Sequence, residues 1–424
     1  MKSGDWFLPM TIKEINQHAL IAEALSRGAV GFTYEQGQRD SFDSSLLKTS
    51  NFAVPNLRDY LFSLAREKRA QINPQIAVIA GSAGKTSVKE LVGAILKSWH
   101  PQKYFISPDN QNTKIALATQ ILRLPSDCQC ASFEMGARRV NDFAIPLSYL
   151  QPSVVALLNI GSAHVGEFGC KENLWNEKIS CLNSESAKSL VVPSDNLLIL
   201  EYAMQTGKNV LSFGYSKQSS IRILDETTEQ ITLRIMDDTV KLDCPFQGAA
   251  KALNVAASVA VAKSMGAPLS AIQDGLQKFD GVPRRFQLFQ WDRVTAIDDA
   301  FNASPESYAE GLQRLKKLSN EKRLLLVLGS MLELGESAEA EHRKVAHQIK
   351  DLFGLSARVA VATVGTEANW IHQELKSLGF SSDQLQHFQS AADARRIQNQ
   401  RLEFDLIYFK GSKSIQLQTI FGDS

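Results

Sequence analysis

The chain has no apolar run near the roughly eighteen residues that a membrane-spanning helix needs. Its opening, M-K-S-G-D-W-F-L-P-M, lacks the apolar stretch of a secretory signal. A cytoplasmic protein with no membrane insertion is the expectation. Charge of one sign is missing as well. Lys and Arg number 46 against 45 Asp and Glu, a net of +1, so no overall field draws nucleic acid or an anionic surface. Five cysteines (Cys128, Cys130, Cys170, Cys181 and Cys244) form an odd set without C-x-x-C spacing, which excludes a disulfide framework. Cys128 and Cys130 stand too close together for a zinc knuckle without further ligands, so free thiols in a reducing compartment are expected. Internal repeats and low-complexity segments are also absent.

What remains is ordinary globular composition, 44% hydrophobic and 21% charged, and 424 residues suffice for two or three domains. Residues 11–25 (T-I-K-E-I-N-Q-H-A-L-I-A-E-A-L) have the spacing of an amphipathic helix. A second helix near N-L-R-D-Y-L-F-S-L-A-R-E-K-R leads to Asn73-Pro74, a natural boundary. From residue 76 the text alternates short apolar runs with helices: I-A-V-I-A, C-A-S-F-E-M-G and S-V-V-A-L-L-N-I-G read as buried strands of a mostly parallel α/β sheet. Residues 220–245 switch to period two, a hairpin-like antiparallel element, and an Ala-rich helix follows from about 248. Near 290 a second α/β series begins, with V-T-A-I-D-D, R-L-L-L-V-L-G, R-V-A-V-A-T-V-G and F-D-L-I-Y-F-K-G as its strands. The fold expected is α/β in three domains. Residues 1–72 make a small α+β unit, 73–290 a central P-loop domain, and 291–424 a Rossmann-like domain.

The sharpest local pattern is Gly81-Ser82-Ala83-Gly84-Lys85-Thr86-Ser87, set between an apolar strand and a helix. Small residues let backbone N–H groups face phosphate oxygens, and the helix N-terminus adds its positive dipole end. Lys85 would reach the β/γ-phosphates and the Thr86 hydroxyl would hold Mg²⁺. The longer phosphate-loop pattern has Gly five residues before Gly84, where this chain has Ile79. A tight strand-to-helix turn with an incidental lysine is the plain alternative. Nothing resembles a Walker-B D-E-x-x acid pair, which argues against an ATPase coupling hydrolysis to motion. Glu134 and His164 each follow directly from an apolar strand, where open parallel sheets bind ligands. A carboxylate and an imidazole there suit a second divalent metal.

In their order, G-x-x-G-K-T, N-Q-N-T-K, F-E-M-G-A, L-N-I-G-S-A-H and E-K-I resemble the ATP-dependent Mur ligases. The likeness continues through G-V-P-R-R-F, D-D-A-F-N-A-S-P-E-S, G-S-M-L-E-L-G-E and K-G-S-K-S, over about residues 73–424. It is nearest to the branch that adds D-alanyl-D-alanine (D-Ala-D-Ala) to a UDP-N-acetylmuramoyl (UDP-MurNAc) tripeptide. The family's phosphate loop is the short form, which accounts for Ile79. The resemblance implies ATP as co-substrate, two Mg²⁺ sites and an acyl phosphate made from a substrate carboxylate. Lys85 and Arg285 supply positive charge to that step. Lys178, fourteen residues after His164, matches the family's carbamylated lysine and would join Thr86, Glu134 and His164 around metal. Asn254 matches the adenine-reading asparagine, and Asp299 the aspartate that meets the nucleotide. Asn110 and Asn112 match a loop lining the reacting groups, and Lys410 and Ser412 lie in the motif near the incoming amine. A monomer acting on small molecules is implied.

The pattern is broken in places. Ala250 and Lys251 replace the His and Asn of the adenine motif, Phe301 replaces Tyr, Ser304 replaces Asn, and Ser330 replaces Asp. The D-S-R stretch that helps such N-terminal domains hold uridine is not found. Two rival readings follow: a divergent ligase with a non-UDP acceptor, and a non-catalytic nucleotide-binding paralogue.

Overall fold

The computed structural model describes residues 3–12, 15–108, 111–161, 165–227, 229–244 and 251–422. Near its start, Trp6–Phe7, Gly31–Glu35 and Ser50–Val54 form a parallel three-stranded sheet with Gly31–Glu35 in the middle. The helix expected over 11–25 is mostly not there. Thr11–Ile12 and Ile15–Asn16 pair as antiparallel strands, Gln17–Leu20 is a 3₁₀ turn, and only Ile21–Ser26 is α-helical. The cause is local: Asn16 is extended and its side chain accepts the His18 N–H, so helical turns can begin only after it.

Helix Leu57–Ile72 is capped by Asn56, whose Oδ1 accepts the N–H groups of Arg58 and Asp59. It stops at Asn73, left-handed at φ 50°, just before Pro74. Leu57, Leu61, Phe62 and Ala65 on its inner face join the core beneath the central sheet. The large apolar side chains among them contribute about 1.5–3 kcal/mol each relative to exposure. Arg69 adds hydrogen bonds to the carbonyls of Leu150 (2.9 Å) and Gln151 (3.0 Å). This helix, expected in the first domain, is thus packed into the second.

The central sheet has nine strands in the order Asp238–Asp243, Gln230–Ile235, Ile221–Glu226, Asn209–Gly214, Ser189–Pro193, Val154–Leu157, Gln75–Ala80, Cys130–Glu134, Tyr104–Ile106. Strands from Tyr104–Ile106 across to Ile221–Glu226 are parallel, and the last two turn antiparallel. Strand alternation divides the core between the two faces. Ala77 and Ile79 face helices Lys85–Trp99, Lys251–Ser264 and Leu269–Gln277, while Ile76, Val78 and Ala80 face Leu57–Ile72 and Lys114–Leu122. The alanines of Lys251–Ser264 are buried, as close packing of small side chains requires.

A third sheet runs Gln287–Trp291, Val294–Asp299, Leu406–Lys410, Leu324–Gly329, Val359–Val364, Leu385–Phe388, parallel except for the first strand. Strand Gln287–Trp291 pairs along its whole length with Val294–Asp299. A division between 290 and 291 would run through this strand. Among the described residues no helix is long and apolar enough to cross a membrane. Cys128, Cys130, Cys170 and Cys181 are free thiols.

Candidate active site

The loop after strand Gln75–Ala80 owes its shape to two glycines. Gly81 has φ +148°, and a Cβ there would come within 3.2 Å of Leu158 Cβ and 3.3 Å of Asn159 N. Gly84, at φ +81°, precedes helix Lys85–Trp99, and a Cβ on it would meet Asn254 Oδ1 at 2.8 Å. Asn254 therefore sits against the loop. In the first helical turn the N–H groups of Lys85, Thr86 and Ser87 have no acceptor inside the helix and form an anion-seeking end. Lys85 Nζ donates to the carbonyls of Gly81 (2.9 Å) and Ser82 (3.2 Å). Burial lowers its pKa, Glu134 opposes that, and Arg285 reinforces it.

Glu134 ends its strand opposite Ile79, level with the loop. Its carboxylate is almost fully buried and takes two hydrogen bonds of 2.7 Å: Thr86 Oγ1 donates to Oε2 and Asn112 Nδ2 to Oε1. The Glu134 N–H donates to Ser107 Oγ at 3.1 Å. Arg285 Nη2 donates to Thr86 Oγ1 at 3.1 Å, and the guanidinium lies 4.5 Å from the Phe301 ring centre. Its Nε is buried without a hydrogen-bond partner, a donor left over for an oxygen ligand.

Lys178 lies on helix Lys171–Ser180 and is 2% exposed. Its Nζ donates to Ala137 O at 3.4 Å and lies 5.6 Å from the Phe143 ring centre. Burial, and then the charge of Lys85, push its pKa down to about 7. The neighbouring Glu177 is buried too, but its oxygens are taken by the N–H groups of Asn141 (2.7 Å) and Phe143 (2.9 Å). Asn110, His164 and Ala250 lie outside the described residues, as does the side chain of Lys251. Among the described residues no cluster of three or more His, Cys, Asp or Glu forms a metal site. The hard oxygen donors beside the loop are Thr86 and Glu134.

On the C-terminal side, Asp299 is turned inward. Its Oδ2 accepts from Tyr408 Oη and Lys410 Nζ, both at 2.8 Å, and its Oδ1 from the Phe286 N–H at 3.1 Å. Lys410 is 1% exposed, so its charge serves this buried pair. Ser412 stitches loops together: its N–H donates to Ser330 O and its Oγ accepts from the Leu332 N–H, each at 3.2 Å.

The departures from the family pattern have local roles. Phe301 is the flat surface under Arg285. Ser304 caps helix Pro305–Leu318 in a reciprocal box with Ser307, a position that suits Ser and Asn equally. Ser330 Oγ accepts the Ala368 N–H at 3.1 Å. The loop and Lys85, Thr86, Asn112, Glu134, Lys178, Asn254 and Arg285 are brought together. Asp299, Lys410 and Ser412 instead organise the C-terminal domain behind Arg285. One residue that sequence reasoning passed over is Asn159, which holds the loop through three hydrogen bonds from its side chain.

Fold and site together define a phosphate-loop protein whose loop is met by charged groups from two α/β domains. The Mur ligase middle domain matches residues 79–262, and the Mur ligase glutamate ligase domain matches residues 284–413. The UDP-N-acetylmuramoyl-tripeptide–D-alanyl-D-alanine ligase of Haemophilus influenzae is 23% identical, over 99% of this chain and 90% of its own length. A crystal structure of MurF from Acinetobacter baumannii superposes with a TM-score of 0.84 at 25% identity, covering 99% of this chain and 90% of that one. MurF from Thermotoga maritima in complex with ADP gives 0.81 at 25% identity, covering 99% and 93%. The chain belongs to the Mur ligase family.

Proposed function

We propose that this chain is an ATP-dependent ligase that joins D-Ala-D-Ala to the terminal carboxylate of a UDP-MurNAc-tripeptide, a step of peptidoglycan precursor synthesis. The observation that carries the reading is the line of contacts Arg285–Thr86–Glu134–Asn112 at the mouth of the loop. It is supported by relatives of that named activity aligned over nearly the whole chain.

The chemistry needs two anions brought into contact, because a substrate carboxylate attacks the γ-phosphorus of ATP. ADP leaves and an acyl phosphate forms. The amine of the dipeptide then attacks the acyl carbon, phosphate departs, a proton is lost and the amide remains. Loop N–H groups and Lys85 hold the phosphates, and Arg285, with Nε still unpaired, meets the charge that develops on the transferred group. Thr86 and Glu134 offer the hard oxygens that Mg²⁺ prefers, and Mg²⁺ would neutralise phosphate charge there. The second metal would rest on Glu134, His164 and Lys178. With a pKa of about 7, Lys178 carries a large neutral fraction at physiological pH, the form that adds carbon dioxide to give a carbamate. Asn254, which lies against Gly84, would read the adenine. The reading describes a monomer in the cytoplasm, where ATP and nucleotide-linked precursors are made.

A second reading keeps the same ligase chemistry and changes the carboxylate. Phosphate release measured with ATP and Mg²⁺ across UDP-muramoyl peptides, with and without D-Ala-D-Ala, separates the two. Release only with the full pair supports the first. Silence with every UDP-peptide, but release with another acid and an amine, supports the second. Lys85→Ala should abolish turnover in either case, whereas a non-catalytic paralogue would bind ATP and release nothing.

A further inference from the structure

Half of the phosphate loop is held by a side chain with no place in the reading so far. Asn159 follows strand Val154–Leu157, which runs parallel to the loop strand with Leu157 opposite Ala80. Its Oδ1 accepts the N–H of Ser82 at 3.0 Å and of Ala83 at 2.8 Å, and its Nδ2 donates to Ala83 O at 3.1 Å. The Ser82 N–H is shared with the Asn159 carbonyl at 3.1 Å. A fifth bond runs the other way along the same seam, from the Gly161 N–H to Ser82 Oγ at 2.9 Å. Gly81 lies so close to Leu158 and Asn159 that a Cβ would be crowded by both.

These bonds split the loop. Residues 81–83 lie against the 158–161 segment: the Ser82 and Ala83 N–H groups, the Ser82 hydroxyl and the Ala83 carbonyl turn to it, while the Gly81 and Ser82 carbonyls take Lys85 Nζ. The first helical turn, Lys85 to Ser87, keeps its N–H groups for an anion. A carboxamide accepts two loop N–H groups on its oxygen and, from its nitrogen, donates to a loop carbonyl, so one rigid side chain spans both. A carboxylate would lose the donor and place a negative charge beside the phosphates. An alanine would leave the Ala83 N–H without its acceptor.

We propose that Asn159 is a positioning residue for the nucleotide. It fixes the loop in the shape that presents Lys85–Ser87 to the phosphates, and so sets affinity for ATP and ADP without touching the carboxylate or the amine. This inference rests on the ligase reading only for the identity of the nucleotide.

The test compares wild type, Asn159→Ala, Asn159→Asp and Ser82→Ala by calorimetric binding of Mg·ADP, by KM for each of the three substrates, and by thermal melting. In Asn159→Ala the ADP dissociation constant and the KM for ATP should both rise about tenfold. Asn159→Asp should rise further, and Ser82→Ala should move less in the same direction. The KM values for the two other substrates should stay put. If Asn159→Ala does not fold, Asn159→Asp and Ser82→Ala carry the same comparison. Unchanged ADP binding in the folded variants overturns the inference, as does a parallel loss in all three KM values and in melting temperature. If the wild type itself binds no ADP, the ligase reading falls, and the inference with it.

Discussion

Arg285 and Thr86 are joined across the two large domains. The guanidinium precedes the C-terminal sheet, the hydroxyl closes the phosphate loop, and Nη2 donates to Oγ1 at 3.1 Å. Thr86 in turn donates to Glu134 at 2.7 Å, so a cation of one domain is coupled through a single hydroxyl to a buried carboxylate of the other. A second bridge, Arg138 to Glu333 at 3.2 Å, spans the same gap at the surface. That one is exposed and worth little. The Arg285 contact differs in that its guanidinium lies beside the loop with a donor to spare.

Arg285→Lys keeps the charge but loses the planar fork and the flat contact with Phe301. The expected result is a fall in kcat of about a hundredfold with melting temperature little changed, read by steady-state phosphate release. Phe301→Leu should fall in the same direction but less, since it removes only the surface under the guanidinium.

Glu134→Gln offers one oxygen where the structure uses two acceptors, so its NH₂ must face the hydroxyl of Thr86 or the amide of Asn112. Turnover should drop about a hundredfold or more, and the Mg²⁺ concentration giving half-maximal rate should rise. A Mg²⁺ titration of the initial rate checks both.

For Lys178 the pH dependence follows from burial. Its pKa falls from 10.5 to about 7 on folding, so between those values the unfolded chain holds the extra proton and stability rises with pH. At and below pH 7 the charged form is buried at full cost. Lys178→Met should therefore melt higher than wild type near pH 6.5, and the difference should shrink steadily toward pH 10 in carbon-dioxide-free buffer. The variant should be inactive throughout.

Asp299 and Lys410 form a buried pair with Tyr408 as third member. Asp299→Ala strands the lysine and should cost about 3–5 kcal/mol by chemical denaturation. Adding Lys410→Met should recover a large part of it. If the single variant were as stable as wild type, the pair would not organise this domain.

Much of this was readable beforehand where the signal is local. Gly81, Gly84, Lys85 and Thr86 carry their meaning in six consecutive residues, and the runs around Ile76–Ala80 and Cys130–Glu134 are apolar because both sheet faces are covered. Residues 11–25 misled because apolar spacing there competes with one capping side chain, Asn16. Strand Tyr104–Ile106 is too short to stand out, Leu385–Phe388 is both short and mixed, and Gln287–Trp291 is a partly exposed edge of its sheet. Contacts that arise only from strand pairing were out of reach. Asn159 meets the loop from 76 or 77 residues away, and Lys410 meets Asp299 from 111. Local motifs mark these residues, but nothing local says which distant group each side chain meets.

The most direct measurement follows ADP and product together. The full chain is incubated with ATP, Mg²⁺, a UDP-MurNAc-tripeptide and D-Ala-D-Ala, then with each component left out, and products are weighed by mass spectrometry. The account predicts ADP and phosphate in equal amounts with one new amide, only when all components are present, and nothing from Lys85→Ala. Phosphate release that ignores the carboxylate and the amine, or ATP binding with no amide from any acid tried, would contradict it.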